Sequence, residues 1–150
     1  MVERKVLELL ASHHTVKLAT AGGAVSPWLA TAFFAEDGPF VLDVMIEAGG
    51  KTLANMAADP RVAIMLENGD PIAPFAQASG RADVGGVDRE VVRHAVIGKT
   101  PSSAQLMSIP TLVPVRIRVD RWLVTHVAAG WLPARELRPT PDALHAGAAS

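Results

Sequence analysis

Cysteine is absent from the 150 residues, which excludes disulfides, thiolate metal sites, haem-thiolate ligation and thiol nucleophiles. Tyrosine is absent as well, so acid–base work falls to His, Ser, Thr, Lys and the carboxylates. Neither sign of charge dominates. Fourteen Lys plus Arg face fifteen Asp plus Glu, and a net charge of -1 leaves no electrostatic footprint for nucleic acid or an anionic membrane. No apolar run is long enough for a membrane helix: the charge-free stretch from Leu18 to Ala35 is broken by Gly22, Gly23, Ser26 and Pro27. The opening MVERKVLELLASHH mixes charged and apolar residues too closely for the core of a signal peptide. A cytoplasmic protein with no nucleic-acid or membrane partner is therefore expected. The chain also lacks GxSxG, P-loop, GxGxxG and HExxH patterns, so serine hydrolases, P-loop enzymes, Rossmann dehydrogenases and zinc proteases have no support.

What is present reads as one domain over residues 1–137, a size that buries most of its apolar surface in a single core, with a tail over 138–150 rich in Pro, Ala and Gly. Val2, Val6, Leu9 and Leu10 fall at helical spacing and predict an amphipathic helix over 2–12 that lids one end of the core. TVKLAT (15–20) and PWLATAFFA (27–35) predict a hairpin turned at Ala21-Gly22-Gly23, and Asp37-Gly38-Pro39 turns the chain into a third strand at 40–44. A helix is expected over 51–58, ended at Asp59-Pro60. Strands follow at 62–66 and 76–84, then a helix over 87–97 with Val87, Val91, Val92, Ala95 and Val96 on its buried face. A short helix at 101–107 and two late strands, 112–120 and 122–127, complete the order. Six to seven antiparallel strands with short turns would expose costly edges unless the sheet closed, so a mainly β barrel with flanking helices is predicted.

Three segments carry a resemblance. His14 to Val44 and GKTLANMAADPRVAIML (50–66) resemble the pyridoxamine 5'-phosphate oxidase-like, FMN-binding split-barrel family, the second through its Lys, its Asn four residues on and its Asp-Pro-Arg-Val. GDPIAPFAQASGRADV (69–84) is similar to the Gly-Asp-Pro segment and Gly-x-Ala strand of the branch that contains HugZ-type haem-degrading and CREG-like proteins. The resemblance implies a split barrel, a homodimer with a cofactor pocket at the subunit interface, and FMN as the cofactor of an oxidoreductase acting on a small molecule. It leaves open a deazaflavin, haem or no cofactor, and with them a haem-binding role or a non-catalytic dimeric scaffold.

On this reading Lys51 and Thr52, opening a helix after two glycines, would grip the phosphate with free N–H groups, an ammonium and a hydroxyl. The same pair also suits a solvated lysine and a helix cap. Trp28, Leu29, Ala30 and Thr31 lie on the strand that would run along the flavin ring. Arg81, or Arg116 and Arg118, would add a second anion contact, and Trp131 would wall the ring from a partner subunit. No catalytic residue is assigned, and no metal site is expected. His126 is the residue that would ligate haem. Two departures from the family pattern remove anion-binding capacity: Met45, Ile46 and Glu47 stand where Ser or Thr and a base are common, and Phe75 stands where Arg is common.

Overall fold

The computed structural model describes residues 1–22 and 27–141. The far side of the predicted hairpin turn (23–26) and residues 142–150 of the expected tail lie outside the described residues. The elements are α1 (Val2–Ser12), β1 (Thr15–Thr20), β2 (Trp28–Glu36), β3 (Val41–Glu47), α2 (Lys51–Ala58), β4 (Arg61–Leu66), β5 (Phe75–Val84), α3 (Arg89–Lys99), α4 (Ala104–Met107), β6 (Leu112–His126) and β7 (Trp131–Leu137). A 3₁₀ turn at Pro101–Ser103 leads into α4.

All neighbouring strands pair antiparallel in the order β3-β2-β1-β4-β5-β6-β7, and β3 also pairs with β6. That last pairing closes β1, β2, β3, β6, β5 and β4 into a six-stranded barrel, as the closure argument predicts, with β7 added beside the end of β6. Alternation aims the inner faces: Val16 and Leu18 on β1, Val62, Ile64 and Leu66 on β4, and Val115, Ile117 and Val119 on β6 fill the interior with Phe34, Leu42 and Trp122. Trp122 is wholly buried and satisfies its indole N–H on the carbonyl of Pro39 at 2.6 Å. Helix α1 covers one end of this core with Val6, Leu9 and Leu10. Outside β2 and β3, α3 and α4 build a second apolar layer from Ala35, Met45, Val92, Val96, Met107 and Leu112.

Three expectations need correction. The two late strands are one, β6, which runs on through Asp120 because that residue bulges out of the ladder between the Gly80–Val119 and Ser79–Arg121 pairs. Gly80 is required there, since a Cβ would sit 2.5 Å from the carbonyl oxygen of Arg118. The seventh strand is instead β7, whose Gly130 turn and internal Pro133 hid it from pattern reading. Helix α3 begins at 89 because Asp88 caps it, its carboxylate accepting from the N–H groups of Glu90 and Val91, and only Val92 and Val96 of the expected stripe are buried.

Candidate functional site

The barrel is split at one place. Residues 28–33 of β2 pair with β1 on one edge only, because β2 meets β3 no earlier than Phe34. β3 pairs with β6 as far as Glu47 but leaves β2 after Val44. Each of the two strands therefore turns an edge of backbone N–H and C=O groups to the gap between them. The gap is a cavity of about 400 Å³, lined by Ala30, Thr31, Ala32 and Phe33 from β2, Met45 to Glu47 from β3, Gly50 and Thr52 at the start of α2, and Leu106, Met107 and Leu112 beyond α3. Small Ala30 and Ala32 leave the strand edge approachable, and the methionines and Leu112 make the walls apolar. A flat molecule with an apolar face and a hydrogen-bonding rim matches that combination.

One end of the cleft is the first turn of α2. Its cap residue is Gly50, and no side-chain cap bond satisfies its first-turn N–H groups among the described residues, which leaves them to a ligand. Thr52 is buried beside them, whereas Lys51 is exposed and lays its ammonium over the ring of Trp28, 4.7 Å from the centroid. The helix is held in place from beneath. Asn55 is buried and donates to the Thr20 hydroxyl on β1 at 3.0 Å, and Gly22 lies so close to α2 that a Cβ would come within 2.2 Å of the Asn55 carbonyl oxygen. The Asp-Pro-Arg segment is likewise structural: the Asp59 carboxylate accepts from the N–H and the guanidinium of Arg61, and these contacts, the guanidinium first, hold its carboxyl down at about 2.

The structure thus brings Ala30, Thr31 and Thr52 into the cleft lining and sets Lys51 and Trp28 together beside it. It does not bring the others there. The Leu29 side chain is 64% exposed over a shallow hollow shared with Ala19 and Ala63 on the outer wall. Arg81 is exposed on the outer wall between Arg61 and Arg118, its cross-strand neighbours. Arg118 shares that wall, and Arg116 is committed to Asp43 by two hydrogen bonds of 2.9 and 3.0 Å. Trp131 is buried beside His126, whose ring meets it edge-on at 5.7 Å, with the Arg135 guanidinium 4.9 Å from its centroid. Neither Trp131 nor His126 lines the cleft. Sequence reasoning missed Thr15, Phe33, Leu106, Met107 and Leu112 as cleft residues. They come from segments far apart in the chain, and only the Pro-Ser opening of the α4 region gave a local signal.

Among the described residues no group of three or more His, Asp or Glu side chains is placed to hold a metal, and no helix is long and apolar enough to cross a membrane.

Comparison with protein-family models and with curated proteins finds no match to the chain. Comparison with solved structures finds many. A putative pyridoxamine 5'-phosphate oxidase from Listeria innocua superposes with a TM-score of 0.69 at 18% identity, covering 83% of this chain and 98% of its own. Campylobacter jejuni ChuZ gives 0.76 at 15% identity, with 91% of this chain covered, and a heme binding protein from Mycobacterium smegmatis gives 0.75 at 18%, with 92% covered. The chain spans only 59% and 58% of those two proteins. With its six strands closed and β2 parted from β3 over the cleft, this chain has the split-barrel fold of the pyridoxamine 5'-phosphate oxidase-like proteins.

Proposed function

We propose that the cleft between β2 and β3 binds a flavin nucleotide, FMN in the first instance, and that the protein is a flavin-dependent oxidoreductase acting on a small molecule as a homodimer. The observation that carries this reading is the pair of free strand edges facing each other across an apolar slot that ends at an uncapped helix turn. The slot offers the ring its apolar walls and the backbone groups of residues 28–33. Thr52, the first-turn N–H groups and Lys51 attend the tail. When bound, a flavin supplies hydride or electron transfer, and the protein supplies orientation and exclusion of water.

The outer wall supports the dimer. Leu29, Ala19, Ala63 and Met65 form an apolar surface over β2, β1 and β4 beside the cleft, the kind of sheet face that a second copy covers across a two-fold axis. Light scattering is expected to give twice 15.8 kDa, and a species of 15.8 kDa overturns the dimer.

The test of the cofactor is the absorption spectrum of the purified protein, followed by titration with FMN. A flavin spectrum, or saturable binding weakened in Lys51→Ala, is the expected result. A colourless protein that binds neither added FMN nor added riboflavin refutes the reading.

A second reading, haem binding, rests on His126, whose Nδ1 is buried without a hydrogen-bond partner among the described residues, and on the likeness to the heme binding protein from Mycobacterium smegmatis. Haemin titration decides it. Absence of a Soret shift, or a shift unchanged in His126→Ala, removes it.

A further inference from the structure

Glu47 ends β3 at the cleft, where it lines the same cavity as Gly50 and Thr52. The residue is exposed, and its carboxylate is oriented by two hydrogen bonds: Oε2 accepts from the Thr111 hydroxyl at 2.6 Å and Oε1 from the Gly49 N–H at 3.3 Å. These contacts, Thr111 foremost, hold its carboxyl below the usual carboxylate range, so it is an anion at neutral pH. No ion pair neutralises it among the described residues. Lys51, four positions on, is turned to the Trp28 ring instead.

We propose that Glu47 is a specificity-determining residue, which makes the cleft favour a flavin-type ring whose tail ends in neutral hydroxyl groups over one whose tail ends in a phosphate dianion. This rests on the flavin reading above and narrows it. A dianion at the first turn of α2 would meet one ammonium and a helix end worth about half a positive charge, but also a full negative charge held immobile beside Gly50. A ribityl hydroxyl meets the same carboxylate as a donor and gains a charge-assisted hydrogen bond. Two negative charges facing one across roughly 6 Å of watery cleft disfavour binding by about tenfold at low ionic strength, the condition chosen for the test, and by less as salt screens them.

The test compares riboflavin with FMN, each titrated into the full chain by flavin fluorescence, for the wild type and Glu47→Gln. The amide keeps an oxygen for Thr111 or Gly49 and removes only the charge, and a thermal melt verifies the fold, with Glu47→Ser as the substitute if it fails. The wild type is expected to bind riboflavin at least as tightly as FMN. Glu47→Gln is expected to shift the ratio of the two dissociation constants toward FMN by about tenfold. A merely structural Glu47 would weaken both ligands together and leave the ratio alone. Flavin binding with a ratio that Glu47→Gln does not move, or a wild type that prefers FMN strongly, overturns the role of Glu47 and spares the flavin reading. Failure of both ligands to bind either variant overturns the flavin reading and this inference with it.

Discussion

Two glycines make opposite predictions under the same substitution. At Gly22 an added methyl would stand 2.2, 2.6 and 2.7 Å from the carbonyl oxygen, Cα and carbonyl carbon of Asn55, whereas ordinary contact begins at 3.4 Å. All three atoms are backbone, so no rotamer change relieves the clash. The chain after β1 and helix α2 must part by about 1 Å, against the bond from Asn55 to Thr20 that holds them together. Overpacking of this kind costs about 1–3 kcal/mol, and the entropy removed from the unfolded chain by alanine returns only about 0.4–1 kcal/mol. Gly22→Ala is therefore expected to destabilise by about 1–2 kcal/mol, which for a domain of this size lowers Tm by roughly 3–8 °C. Gly98 lies inside α3 with nothing within 4 Å of the site of its missing Cβ. Alanine there improves helix propensity and is expected to stabilise by about 0.5–1 kcal/mol. Scanning calorimetry on both variants checks the pair. A Gly22→Ala protein that melts with or above the wild type refutes the claim that close approach of α2 requires glycine.

Asp59 gives a pH signature. Its carboxyl lies at about 2 in the folded protein against 3.8 ordinarily, so its stabilising contribution is complete above pH 3.8 and is lost as pH falls through about 2. The gap in urea midpoint between the wild type and Asp59→Asn should narrow from pH 4 to pH 2, and a gap that stays constant contradicts the Arg61 contact as its cause. Asp43, which is buried, and Arg116 form a bidentate pair with little exposure of either side chain. Asp43→Ala should cost about 3 kcal/mol by leaving the guanidinium without its partner, and adding Arg116→Met should recover most of that; chemical denaturation in which the single variant matches the wild type contradicts this account.

Much of the architecture could be read from the residues because it depends on local chemistry. Periodicity located α1 and alternation located β1, since one face of each must be buried, while a short apolar run after Asp59-Pro60 located β4. Asp59-Pro60 and the glycine turns supplied the boundaries. The rest depends on contacts between distant segments. The unity of β6 is hidden by Asp120, an exposed charged residue that bulges out of the ladder with β5, and it depends on Gly80 of β5 leaving room for the Arg118 backbone. Strand β7 contains a proline, and it packs against α1 from the other end of the chain, with Trp131 buried in the same core cluster. The cleft was half visible: Ala30, Thr31 and Thr52 come from segments with turn and cap signals, while Met107 enters from α4 and Leu112 from the pairing of β6 with the end of β3.

The residues that made the chain resemble the split-barrel proteins are mostly those that build the barrel, and this decides how far the resemblance reaches. Asn55 ties α2 to β1, Asp59 locks the turn into β4, and Gly80 makes room for β6. Any chain that folds this way needs solutions of this kind, whatever it binds, so such matches speak for the fold and are silent on the ligand. The chemistry of the cleft is supplied by other means, by backbone edges that carry no side-chain signature and by a few groups at one end. There the identity of a single residue matters more than the whole barrel. With Glu47 beside Gly50, the same backbone that would welcome a phosphate at the α2 terminus presents it with a fixed negative charge, and ligand preference turns on which of the two fields is stronger at the tail.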